Sequence, residues 1–310
     1  MMKDFKLKGH LAMLGANMTW GMMAPIAKIV LTAGIISPIL LTNFRIIGAA
    51  ILFWIASIFT RYEHVPARDL LRLAGAGMLG IVFNQGSYIS GIGLTSPGEA
   101  SIITTTMPLW VMFLAAVILK EPITWKKAGG IALGASGALL LVFGGSKSAL
   151  KGDNPMLGDL LVLTAQLSYA LYLTFYKNFI KKYSVFTLMK WMFTFAAIVA
   201  FPLSIGEWIH TDWGSISHTE IAGVGYVVVI ATFLAYILTM IGQKNLRPTL
   251  VGMYNYVQPI VASLIGVYLG LDRFTPVKVI AVALIFSGVY LVTISKAAAP
   301  ASTDVDKSAH

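Results

Sequence analysis

The chain has 310 residues, of which 57% are hydrophobic and only 12% charged, with a net charge of +10 and a mean hydropathy of +0.79. That charged fraction is about half of what soluble domains carry, too little to cover a water-facing surface, so an ordinary soluble globule is excluded. There is no cysteine, which excludes disulfides and thiolate metal sites, and the basic residues sit in short segments between apolar runs, a bilayer distribution rather than a nucleic-acid-binding one.

The apolar runs are about 20 residues long, the length a helix needs to cross a hydrocarbon core of about 30 Å. They predict spans over 10–33, 37–59, 70–94, 97–119 and 125–143. After a polar break come 157–177, 185–205, 220–243, 248–270 and 276–295. The first run exceeds the apolar stretch of a cleaved signal peptide, and no small-residue cleavage site follows it. Residues 297–310 are polar and read as a disordered cytoplasmic tail. The expected fold class is therefore an all-α polytopic membrane protein with ten transmembrane helices in a lipid bilayer.

Lysine and arginine set the orientation. With the N-terminus in the cytoplasm, the inner segments collect Arg61, Arg68, Arg72, Lys120, Lys126, Lys127, Lys177, Lys181, Lys182, Lys244 and Arg247, among others. The outer segments keep Lys147, Lys151, Arg273 and Lys278. Both termini are then cytoplasmic, and the inner membrane is the expected location.

An internal repeat organises the chain. At a shift of 151 residues, 96–143 falls on 247–294 without a gap. Pro97 then meets Pro248, Pro108 meets Pro259, Glu121 meets Asp272, Thr124 meets Thr275 and Lys127 meets Lys278. A shift of 149 pairs Gly9 with Gly158, Trp20 with Tyr169 and Lys28 with Lys177. The repeats are read as 1–145 and 146–296. Each holds five spans, so the second must enter the membrane inverted. Inverted repeats place a solute site near the midplane between the halves and permit alternating access.

Charges inside spans default to functional candidates, and there are three: Lys28, Arg45 and Lys190. Arg45 either attracts a carboxylate- or phosphate-bearing solute or caps loop carbonyls and ties helices together. Lys190 lies near an inner span end, from which a lysine can snorkel to the interface. Uncharged polar and aromatic residues recur in the spans: Asn17 and Trp20 on one face of the first, Asn84, Gln85 and Tyr88 in the third, and Trp110 in the fourth. Gln166 and Tyr169 follow in the sixth, and Tyr254, Asn255 and Gln258 in the ninth. Buried amides in lipid need partners or water. The set predicts a polar cavity with aromatic walls for a small-molecule substrate. Pro108 and Pro259, at matching places, are candidate gating bends. Gly130/Gly134 and Gly266/Gly270 allow close helix contact within one chain or between two, so monomer and homodimer are both open.

Absences narrow the chemistry. No Asp, Glu or His lies mid-span, which speaks against tight proton antiport. There is no acid–histidine constellation for an enzyme, no charged ring for a channel, and no metal or cofactor site is expected. Gly75–Gly80 spells a dinucleotide fingerprint, but inside an apolar helix with no strand before it. Asn17-Met-Thr19 spells a glycosylation sequon within the membrane.

The ordered set of Trp20, Arg45, Pro108, the turn Lys120-Glu121-Pro122-Ile123-Thr124 and Ser136-Gly137 resembles the drug/metabolite transporter superfamily, EamA type. The resemblance covers nearly all of 8–295, twice over. It departs in the second half, where Met192 aligns with Arg45 and Lys190 lies nearby. It implies a ten-helix fold with a central cavity and, as a common activity, export of amino acids or related metabolites.

Overall fold

The computed structural model describes residues 2–32, 34–94, 103–144, 154–268 and 276–295. The tail from 297, the 145–153 break, Glu99, Gly270, Asp272 and Thr275 lie outside the described residues, as do the side chains of Lys28 and Gly266. The described residues form helices and no strand: α1 (Met2–Thr32), α2 (Pro38–Ile58), α3 (67–94), α4 (Met107–Leu119), α5 (Trp125–Gly144), α6 (Pro155–Phe175), α7 (Val185–Leu203), α8 (His218–Asn245), α9 (248–268) and α10 (Pro276–Thr293). Five of them, α2, α6, α7, α8 and α10, are long and apolar enough to cross a bilayer by themselves. The others are interrupted, short or lysine-bearing at one end.

Small polar residues and prolines set where the helices begin. Pro38 and Pro155 open α2 and α6, where a missing N–H breaks no intrahelical bond. Ser37 Oγ and Asn154 Oδ1 accept from the N–H groups of Leu40 and Leu157 at 3.1 and 3.2 Å. Ser217 and Glu220 form a capping box at the start of α8. The end of α4 is a left-handed turn at Lys120 (φ 53°), which lets Glu121 N–H reach the Ala115 carbonyl at 3.1 Å.

Two helices change winding in register with the repeat. A π-helical segment occupies Met78–Phe83 of α3 and Tyr226–Leu234 of α8. At the 151-residue shift their last residues, Phe83 and Leu234, coincide, and so do the first residues of the two helices, Ala67 and His218. Segments of this kind are frequent at functional sites. Helix α9 is broken by a 3-10 turn over Tyr254–Tyr256.

The halves interdigitate rather than form two lobes. Helix α1 packs on α8 and α9, and its counterpart α6 packs on α3 and α4. In the same way α2 packs on α8, and α7 on α3. The pairs α2–α7, α4–α9 and α5–α10 each join a helix to its own repeat mate. An element that touches its own mate lies on the axis relating the two halves. Two side chains mark that axis directly: Tyr236 OH lies 3.4 Å from Nε2 of Gln85, its mate, and Tyr256 OH donates to the carbonyl of Thr105, its mate, at 3.0 Å.

Glycines bring α5 and α10 into backbone contact. A Cβ at Gly130 would stand 2.7 Å from the Gly288 carbonyl oxygen, and one at Gly288 would stand 2.4 Å from that of Gly130. Gly134 meets Tyr256 in the same way. Gly130 and Gly134 are thus used within the chain.

Candidate functional site

Arg45 projects from α2 into the interior and is 7% exposed. Its Nε donates to Thr232 Oγ1 at 3.0 Å and its Nη1 to Gln85 Oε1 at 3.1 Å. Thr232 belongs to the π-helical segment of α8, and its hydroxyl in turn donates to the Val227 carbonyl at 2.7 Å. Gln85 lies just past the matching segment of α3 and donates to Asn84 Oδ1 at 3.2 Å. Asn84 Nδ2 continues to the Ala165 carbonyl of α6 at 3.0 Å, one residue before the buried Gln166. One hydrogen-bonded chain therefore links α8, α2, α3 and α6 across the axis.

Aromatic rings close around it. Trp20 donates its indole N–H to the Ala231 carbonyl at 2.9 Å, within the α8 π segment, and meets Tyr236 edge-on at 5.8 Å. Phe193 of α7 lies edge-on to Tyr236 from another side at 4.9 Å. The space left beside Arg45 is about 10 Å³, room for about one water. The polar cavity expected from sequence is therefore contracted here into a bonded cluster.

A second amide cluster lies along the same face of α1. Gln258 Nε2 donates to Asn17 Oδ1 at 2.9 Å and to Asn255 Oδ1 at 3.3 Å, and Asn17 Nδ2 donates to the Met13 carbonyl at 2.8 Å. Tyr254 faces away from these amides and pairs its hydroxyl with His10 Nδ1 at 2.7 Å. Tyr169 and Tyr172 share Gln243: the Tyr172 hydroxyl donates to Oε1 at 2.9 Å, and Nε2 donates to the Tyr169 hydroxyl at 3.2 Å. Tyr88 is half-buried on α3. The Trp110 indole N–H of α4 is buried with no hydrogen-bond partner among the described residues. Pro108 and Pro259 occupy the first turns of helical segments that follow a turn and the 3-10 break, so each marks a start of winding rather than a bend inside a regular helix. Lys190 is buried, with Nζ 4.7 Å from the centre of the Trp54 ring.

The lysine- and arginine-rich end of the bundle is tied by polar contacts. Glu63 accepts from the Ser184 backbone N–H at 2.9 Å, Lys182 and Tyr183 both donate to Asp69, and Lys244 donates to the Tyr183 carbonyl. Lys177 donates to the Gln243 and Leu246 carbonyls, and a buried Lys127–Glu121 pair at 2.9 Å also takes the Thr249 hydroxyl at 3.1 Å. At the opposite end lies an open cleft of about 580 Å³, lined in part by Gly34, Ser37, Leu203, Glu207, His210 and Asp212.

The description "EamA-like transporter family" fits two stretches, residues 7–143 and 156–294. The chain belongs to that family. As an EamA-like protein it is a membrane transporter. It is 26% identical over 267 residues to the uncharacterized inner membrane transporter YedA of Escherichia coli strain K12, covering 85% of this chain and 84% of YedA. To the uncharacterized transporter YyaM of Bacillus subtilis strain 168 it is 25% identical, covering 87% of each. A WAT1-related protein of Arabidopsis thaliana is 24% identical over 94% of this chain and 86% of its own length. A crystal structure at 20% identity superposes with a TM-score of 0.77 over 94% of this chain and 96% of the other, which shows the shared fold.

Sequence reasoning found Arg45, Gln85, Trp20 and the α9 amides but missed Thr232, Tyr236, Tyr172 and Gln243. The repeat held one signal for them. Tyr236 is the mate of Gln85, and a mate of a central polar residue is itself a candidate for the centre.

Proposed function

We propose that this EamA-like transporter exports amino acids or related small organic metabolites across the inner membrane by alternating access, with both termini cytoplasmic. The observation that carries the reading is the meeting of polar groups from both repeats at the axis between them, Arg45, Gln85, Thr232 and Tyr236 above all. A solute held there is contacted by both halves, as alternating access requires. Trp20, Tyr88, Trp110, Tyr169 and Tyr254 supply aromatic walls, and Asn17, Asn84, Gln166, Asn255 and Gln258 supply hydrogen-bonding groups once the cluster opens. Pro108 marks where α4 starts to wind and Pro259 where α9 resumes after its 3-10 break, and these starts are the gating points. The chain acts as a monomer or homodimer, with 1–145 and 146–296 as its functional halves.

In this orientation the tied end faces the cytoplasm and the cleft faces outward. Single cysteines test the orientation cleanly, because the chain has none of its own. A cysteine at position 64 is expected to resist an impermeant thiol reagent in intact cells, and one at position 210 to react. Metabolite profiling of cells and medium, with and without expression, tests export. Faster release of amino acids or related metabolites supports it. Accumulation inside makes the same architecture an importer, and a flat profile removes the assignment to amino acids and related metabolites. Release that collapses when only the pH gradient is abolished would show tight proton coupling, against the absence of a mid-span acid.

A further inference from the structure

Arg45 is a buried cation with neutral neighbours. Its hydrogen bonds run to a threonine hydroxyl and an amide carbonyl, and no ion pair joins it among the described residues. Every Asp and Glu among the described residues stands in a connection or near a helix end. A solitary guanidinium in a membrane interior is costly unless something pairs with it. The telling residue is Gln85. Its Oε1 stands 3.1 Å from Arg45 Nη1, where an isosteric glutamate would complete a buried ion pair. The amide holds the guanidinium in place and leaves its charge unneutralised. The second half adds no equivalent charge to the centre: Met192 falls at the matching place of α7, and Lys190 lies under Trp54 instead.

We propose that Arg45 is the anion receptor of the transport site and that the transported solute carries a single carboxylate. This rests on the transport reading above and narrows it. A planar fork of N–H donors matches a carboxylate bidentately, and one cation balances one negative charge. Thr232, within one π-helical segment, and Gln85, just past the other, accept from Nε and Nη1 of the guanidinium, so they aim it without competing as acids. Trp20, Tyr236 and Phe193 offer the adjoining apolar surface for the rest of the solute. The space of about 10 Å³ beside Arg45 is too small for a carboxylate, so binding requires α2, α3 and α8 to part.

The test uses purified full-length protein and thermal stabilisation by matched probes: acetate, benzoate and L-phenylalanine, each against its amide, with inorganic phosphate alongside. Carboxylates are expected to raise the melting midpoint and amides are not. Gln85→Glu is the decisive variant because it supplies the missing acid without changing shape. It is expected to melt at or above the wild-type midpoint, yet to bind carboxylates about tenfold or more weakly. Arg45→Gln is expected to lose the carboxylate response, and Arg45→Lys to keep part of it. Amides acting as well as carboxylates, no response to any carboxylate, a larger response to phosphate, or wild-type binding by Gln85→Glu would each overturn the proposal. Metabolite profiling separates the two failures. An exported solute with no acidic group sinks the Arg45 assignment and leaves transport standing, whereas carboxylate binding with no solute movement does the reverse.

Discussion

Arg45 and Trp20 are polar side chains of the first half whose hydrogen bonds cross to α8 of the second. Replacing Trp20 by Phe keeps an edge for Tyr236 but removes the indole's hydrogen bond to the Ala231 carbonyl, a loss of about 1 kcal/mol. Transport is expected to fall less for Trp20→Phe than for Trp20→Ala, as uptake or release in proteoliposomes will show. The Lys127–Glu121 pair makes a sharper case, since both partners are buried. Lys127→Met leaves an uncompensated carboxylate and is expected to cost about 3–5 kcal/mol, much of it recovered when Glu121→Gln is added. Melting of the two variants in detergent checks this. Where the start of α3 and the connection before it meet the start of α7, the polar ties respond to pH. Burial opposes the Glu63 charge, but hydrogen bonds from Thr187 and Ser184 prevail and hold its carboxyl below 4.5, while the Asp69 hydrogen bond raises Lys182 above 10.5. A depressed acid contributes stability above its unfolded value and loses it as pH falls. A raised base contributes below its unfolded value and loses it as pH climbs. The ties are therefore expected to hold between about pH 5 and about pH 10. Glu63→Gln should blunt the acid limb of a melting-versus-pH curve and leave the alkaline limb unchanged.

At the scale of the element, the α5–α10 seam depends on an absence of side chain. Gly288→Leu puts carbon into the Gly130 carbonyl and forces two backbones apart, so its cost is expected to reach or exceed the roughly 1–3 kcal/mol of ordinary overpacking. Gly129 is the control, because a Cβ there meets nothing within 4 Å. Gly129→Ala is expected to be neutral or stabilising by about 0.5–1 kcal/mol, as for alanine in place of glycine within a helix. Fluorescence-detected gel filtration after a heat step ranks the two. The small-residue pattern of α5 was legible in the sequence; that its partner is α10 of the same chain was not. The π segments were equally hidden. Met78–Phe83 and Tyr226–Leu234 are plain apolar runs, and their composition carries no mark of a widened turn.

For the molecule as a whole, interdigitation has a direct consequence. Helices α1 and α6 each find their main partners in the opposite half, so neither half buries its own polar faces alone. Expressed separately, 1–145 and 146–310 are expected to be degraded or aggregated. Expressed together, they are expected to give a folded complex that co-purifies through a tag on either piece. A stable, monodisperse half would contradict the packing described here.

Length, charge placement and the 151-residue shift were enough to determine the spans, the repeat and the membrane class, because hydropathy and register are properties of the chain itself. They also picked out Arg45, since a charge within an apolar span stands out without any neighbour. They left open what Arg45 touches, that Lys190 packs against the Trp54 ring, and that Thr232 and Tyr236 belong to the centre. Threonine and tyrosine are ordinary residues of apolar helices, and only the helices brought against them give them a role. Pair distances across an axis between two halves exist only once the halves have met, so the tertiary structure alone decided them.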